Sequence, residues 1–186
     1  MNEHQHSYAG QAPTLVAANA QLDKQALLCE YATRFDAQAV IETGLYNGVG
    51  SGMAVPDVAY CAIDYQFDNI SRAEQLRPDG LYLWGDSGSE LPKFLAGYRF
   101  RLPALFWLDA HTISQEERSP TVCPVLAELD AIIHWQHVGS SVVLVDDLAY
   151  FGRVHGWPTL DELYEKAGEG PWQRDEADGV LRLTPS

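Results

Sequence analysis

Five short apolar runs dominate this chain: AVIET at 39–43, AYCAID at 59–64, LYLWG at 81–85, ALFWLD at 104–109 and SVVLVDD at 141–147. Their interiors are continuously apolar rather than alternating. That is the pattern of strands covered on both faces, and such strands belong to parallel sheets flanked by helices. Segments that can supply the helices lie between them, notably ELPKFLAG at 90–97 and CPVLAELDAIIHWQ at 123–136. Around the latter, Val122, Val125, Leu126, Leu129, Ile132 and Ile133 recur at helical spacing. The alternation predicts a layered α/β sheet, with chemistry to be sought at the carboxyl ends of its strands.

The remaining segments complete one domain. A helix is expected over 19–35, with Leu22, Leu28, Tyr31 and Phe35 as an imperfect apolar face whose role is packing, after a flexible arm at 1–18. Thr159 and Glu162 have the spacing of a capping box for a late helix. The tail PWQRDEADGVLRLTPS offers one or two edge strands turned at Asp178-Gly179. With 186 residues, no internal repeat and no long linker, a single domain over 19–186 is sufficient.

Twelve basic side chains against 26 acidic ones leave a formal charge of -14, which repels phosphate backbones and anionic bilayers when no basic patch overrides it. No apolar span approaches the roughly 18 residues of a membrane helix. The amino end MNEHQHSYAG also lacks the basic-then-apolar order of a secretory signal. Nucleic acid and membrane are therefore not expected partners, and a soluble cytoplasmic protein is expected. Cys29, Cys61 and Cys123 are odd in number and widely spaced, which suits small buried thiols rather than a redox or zinc pair. Trp84, Trp107, Trp135, Trp157 and Trp172 are read as core or pocket walls. His4 and His6 could contribute to a metal site, although a pair of histidines in a polar terminal arm is more often incidental, and His134, His137 and His155 have no convincing partner spacing.

The segment from Glu42 through Gly44, Tyr46, Gly48 and Gly50 to Gly52 joins the first strand to a turn and then to a helix. Glycines there permit close approach of a polar ligand such as a nucleotide-like cofactor, or form a bare βα turn. Asp64, at the end of the second strand, can accept hydrogen bonds from two ribose hydroxyls, a feature common to NAD and S-adenosylmethionine. Asp86 and Ser87 follow the third strand and can line an adenine pocket, although Ser87 and Glu90 also have capping-box spacing. Asp109, Asp146 and Asp147 end the last two strands. Three carboxylates on neighbouring strand ends can surround a hard divalent cation such as Mg2+, or cap turns and pair with basic groups. His111 can act as a general base beside such a site, or as a capping or merely exposed histidine.

In this order VIETGLYNGVGSG, the acidic residue of AIDYQ, the GDS segment and the strands FWLDAH and VVLVDD resemble the class I S-adenosylmethionine-dependent methyltransferases. The pattern is most similar to small metal-dependent sugar or natural-product O-methyltransferases and uncharacterised bacterial relatives, over about residues 39–165. The resemblance implies a single-domain Rossmann-like fold: a mostly parallel central sheet, helices on both faces and an antiparallel C-terminal edge. It implies S-adenosylmethionine held by Glu42, Gly44 and Gly48 at its methionyl part, by Asp64 at the ribose and by Asp86 on the adenine side, with Tyr46 and Ser87 adjoining. It further implies Mg2+ on Asp109, Asp146 and Asp147. Related sugar methyltransferases place an acidic base two residues beyond the first metal aspartate, where this chain has His111. The expected reaction is methyl transfer to a hydroxyl of a small molecule or sugar, with His111 taking the proton. An NAD-dependent oxidoreductase and a catalytically inactive metabolite-binding module are the alternatives, and a homo-oligomer is left open.

Overall fold

The computed structural model describes residues 15–112 and 121–186, so the expectations for His4, His6 and most of the amino-terminal arm lie outside the described residues. Strands β1 (Ala39–Thr43), β4 (Ala104–Leu108) and β5 (Ser141–Val145) are buried along their whole length, and β2 (Ala59–Asp64) along all but its first residue. Both faces are covered because successive side chains alternate between two cores. Leu105 and Trp107 of β4 pack with Leu28 and Tyr31 of α1 (Leu15–Arg34) and with Ile70 and Ala73 of α2 (Phe67–Leu76). Ala104, Phe106 and Leu108 face the other way, toward Leu91 and Phe94 of α3 (Ser87–Gly97), Leu129 and Ile132 of α4 (Val125–Ile133) and Leu163 of α5 (Leu160–Gly168).

The sheet also contains β3 (Leu81–Trp84), β6 (Trp172–Ala177) and β7 (Val180–Pro185), in the order β3-β2-β1-β4-β5-β7-β6. β1 to β5 are parallel, while β7 runs antiparallel to β5 and β6 antiparallel to β7. The fold expected from the apolar runs is therefore present, including the antiparallel edge. Asp178 and Gly179 turn that edge with positive φ at both central residues, 56° and 78°, the backbone of a two-residue hairpin loop. The capping box of α5 is also present: the Thr159 hydroxyl accepts from the Glu162 amide, and the Glu162 carboxylate accepts from the Thr159 amide. Among the described residues no helix is long and apolar enough to cross a membrane.

Three local expectations change. The glycine segment does not lead into an α-helix but into a four-residue 3-10 turn (Ser51–Ala54), because glycine is a poor helix former and Pro56 follows at once. α2 adds a helix at 67–76 to those expected, burying Ile70 and Ala73. Trp84 is not a core or pocket-wall residue: it lies on edge strand β3, 64% exposed, edge-on to Phe67 and donating its indole N–H to the Tyr65 carbonyl.

β1 and β4 close on each other at Gly44. The Asp109 amide donates to the Thr43 carbonyl, and Gly44 has φ +84° with the Asp109 carbonyl standing where a Cβ would be. Only glycine fits this junction, which brings the glycine loop and the Asp109 loop side by side. Gly44→Ala is expected to destabilise the protein by about 4 kcal/mol, combining left-handed backbone strain with displacement of a strand end. A fall in the urea midpoint at unchanged slope checks this, and an unshifted midpoint would show that the junction yields freely.

Candidate active site

The glycine loop is held from behind by Glu42. This carboxylate is 1% exposed; one oxygen accepts the Ser51 amide at 2.7 Å, and the other accepts the Gly52 amide at 2.9 Å and the Tyr60 hydroxyl at 2.6 Å. Burial pushes its pKa up to about 7, against the opposing pull of these three donors and of Lys24. The loop glycines mostly make room for the chain itself: a Cβ at Gly48 would meet Arg72 and the Asn69 carbonyl at 2.7 Å. Tyr46, by contrast, projects from the loop and is 68% exposed.

Asp64 also binds the loop, accepting the Leu45 amide at 2.7 Å through one oxygen and the Gln66 amide at 2.6 Å through the other. The Asn69 side-chain amide also donates to these two oxygens, at 3.4 and 3.3 Å, and the residue lines the cleft described below. Asp86 caps α3 with its backbone only: its carbonyl accepts from Ser89 and Glu90, and its side chain makes no cap bond. The capping box suggested by Ser87 and Glu90 is thus absent, and the N-cap is Asp86 itself.

Beneath Ser87 lies a carboxylate with no signal in the sequence beyond its place on the apolar α4 stripe. Glu128 is 0% exposed, and among the described residues neither of its oxygens has a hydrogen-bond partner, nor do the buried hydroxyls of Thr43 and Ser87. Burial pushes its pKa up to about 7, while the proximity of Ser87 and Thr43 pulls it down and Asp86 raises it.

At the other end, the carboxylates after β4 and β5 separate into two sets. Lys24, on α1, sits 2.9 Å from Asp109 and is also ion-paired with Asp146. The remaining Asp146 oxygen accepts the Asp147 amide at 2.7 Å, so both its oxygens are engaged. Asp147 adopts φ 64° and groups instead with Asp109 and His111, one ligand atom from each lying within 4.8 Å of the others. The His111 ring is wedged between Trp157, with centroids 4.6 Å apart, and Phe151 at 5.7 Å. Both of its nitrogens are buried without a hydrogen-bond partner among the described residues. Burial, reinforced by Lys24, lowers its pKa to about 3, so the ring is neutral and only weakly basic.

The expectation for α1 as packing alone missed this contact. Lys24 and Gln21 continue the stripe of Leu28 and Tyr31 at helical spacing, and Gln21 donates to the Ser51 hydroxyl at 3.0 Å. A lysine on the buried face of a helix was the available signal. His111 is likewise set by aromatics from the loop after β5, whose positions the linear sequence does not reveal.

One cleft of about 640 Å3 joins the two ends. It is lined by Glu42, Gly44, Tyr46, Asp64, Asp86, Ser87, Asp109, His111 and Asp147, and Gly48 and Asp146 are not among its lining residues. No family model and no curated protein matches the chain. Solved structures do share its fold. An O-methyltransferase from Bacillus cereus, in complex with SAH, superposes with TM-score 0.62 at 10% identity, covering 94% of this chain and 93% of that one. A methyltransferase from Geobacter sulfurreducens gives 0.57 at 16%, covering 95% and 90%. The N-methyltransferase NodS from Bradyrhizobium japonicum gives 0.57 at 12%, covering 91% and 97%. The fold is that of class I S-adenosylmethionine-dependent methyltransferases, shared by enzymes that methylate oxygen and nitrogen.

Glu128 generates a pH test. Its raised pKa means that the folded state holds the proton more tightly than the unfolded chain. Its contribution is therefore full below the unfolded value near 4.5 and is lost as pH rises through about 7. The span is on the order of 3 kcal/mol. Glu128→Gln is expected to be nearly neutral at about pH 5 and stabilising at about pH 8.5. Thermal unfolding of both proteins across that range measures it, and parallel curves would exclude a proton held at Glu128.

Proposed function

We propose that this protein transfers a methyl group from S-adenosylmethionine to a hydroxyl of a small molecule or sugar, with a divalent cation assisting at the Asp109 end of the cleft. The observation that carries this reading is the division of a single cleft into two chemistries. Asp64 and Asp86 lie at one end and the Asp109, His111 and Asp147 cluster at the other, across the carboxyl edge of a β3-β2-β1-β4-β5-β7-β6 sheet.

The adenosine end suits the donor set present. Asp64 can accept from both ribose hydroxyls, and Asp86, free of capping duty, can accept from an exocyclic amine. Asp64 ties the loop at Leu45 and Glu42 ties it at Ser51 and Gly52, so the methionyl side would meet a wall held by the protein's own hydrogen bonds. Bound S-adenosylmethionine would supply a methyl group on a sulfonium, and a divalent cation would acidify and orient an acceptor hydroxyl. The chain's own work is positioning: aligning acceptor and donor supplies much of the rate in a displacement that needs no covalent enzyme intermediate. His111, Tyr150 and Asp147 wall the acceptor end.

The NAD alternative is disfavoured by the 3-10 turn. Dinucleotide folds place the pyrophosphate at an α-helix amino terminus, whereas here the Ser51 and Gly52 amides are already given to Glu42.

Calorimetry with S-adenosylhomocysteine and with NAD separates the readings: the former is expected to bind and the latter not, and the reverse would overturn the proposal. Asp86→Ala is expected to weaken S-adenosylhomocysteine about tenfold, the loss of one hydrogen bond to ligand, with the melting temperature unchanged. Unaltered affinity would remove Asp86 from the adenine site.

A further inference from the structure

We propose that Asp109, His111 and Asp147 form a divalent-cation site that prefers Mn2+ or Zn2+ to Mg2+, and that Lys24 is a tethered cation competing with the metal for Asp109. The ion's use in methyl transfer rests on the function proposed above; its binding does not.

Geometry supports the ligand set. The three side chains present one ligand atom each within a 4.8 Å span. His111 adds an observation independent of the acidic residues: both ring nitrogens are buried and unpartnered among the described residues. A buried imidazole without partners is costly, and a metal ion would satisfy one nitrogen. The ring is already oriented, held between Trp157 and Phe151, and Trp157 is itself pinned by its indole N–H to the Thr112 carbonyl at 3.1 Å. Ligand and wall are thus preorganised together.

Asp146 has left the set that three strand-end carboxylates would make. Lys24 takes one of its oxygens and the Asp147 amide the other, while the left-handed backbone at Asp147 sends the next carboxylate to a different neighbour. Exchanging an oxygen donor for an imidazole changes the preferred ion. Mg2+ favours near-octahedral oxygen ligation, whereas imidazole with carboxylates suits Mn2+, Zn2+ and their neighbours. A ligating His111 does not serve as the general base suggested by its position in the sequence.

Lys24 gives the site a second cation. Its ammonium neutralises Asp109 from the α1 side, lowering the charge available to a metal on the same carboxylate. Lys24 pairs with two of the three carboxylates, Asp109 and Asp146, and Asp147 brings a third carboxylate to the cluster.

The test is calorimetry of the chelator-stripped full-length protein with Mn2+, Zn2+ and Mg2+, together with pulsed EPR of the Mn2+ complex. Mn2+ is expected to bind at least about tenfold more tightly than Mg2+, to lose at least about tenfold in His111→Ala, and to gain about tenfold in Lys24→Met. Nitrogen modulation in the EPR spectrum of the wild-type complex is expected and needs no variant that must fold. Absence of that modulation, or Mg2+ binding as tightly as Mn2+, overturns the ligand assignment. Unchanged affinity in Lys24→Met overturns the competition. S-adenosylhomocysteine binding, measured without metal, keeps this outcome separate from the methyltransferase reading.

Discussion

A carboxylate that water does not reach organises the carboxyl edge of this sheet. Glu42 lies one residue before the end of β1, and its two oxygens gather the Ser51 amide, the Gly52 amide and the Tyr60 hydroxyl. A glycine-rich segment has many backbone conformations to lose, and charge-assisted hydrogen bonds to a buried acceptor are strong enough to select one. Asp64 adds the Leu45 amide from the neighbouring strand, and Gly44 allows β4 to close on the other side. The loop is therefore shaped by the protein's own hydrogen bonds, and Tyr46 is turned outward from it.

The acidic excess has a local meaning here. Most of the chain's 26 carboxylates can only hydrate the surface, but a few are buried at strand ends where their charge must be answered. Each is answered differently: Glu42 by amides and a phenol, Asp146 by Lys24 and an amide, and Asp109 by Lys24 in part. Helix α1 is consequently more than a cover for the sheet. Through Gln21 it touches the glycine loop and through Lys24 the carboxylates of β4 and β5, so one helix face spans both halves of the cleft.

Strand positions were legible because burial on both faces favours runs of consecutive apolar residues, a local signature that β1, β2, β4 and β5 carry in their interiors. It failed at LYLWG, where an edge strand has the same letters with only partial burial, leaving Trp84 exposed. The turn at Asp178-Gly179 and the cap at Thr159 were legible for the same local reason: their hydrogen bonds and dihedrals involve neighbours in sequence.

By itself the sequence determined a parallel α/β sheet and which residues stand at its chemically useful edge, since strand order of hydrophobicity and the residue ending each strand are local properties. It could not determine which of those residues meet. Asp146 and Asp147 are adjacent in the chain yet serve different partners, because a left-handed backbone step turns one toward Lys24, 122 residues earlier, and the other toward His111. Those partners come from α1 and from the loop after β4, and their side chains are brought within contact only when helices pack on the completed sheet. The choice of ligand, counter-charge and wall is therefore a tertiary decision, made by distances that no spacing along the chain encodes.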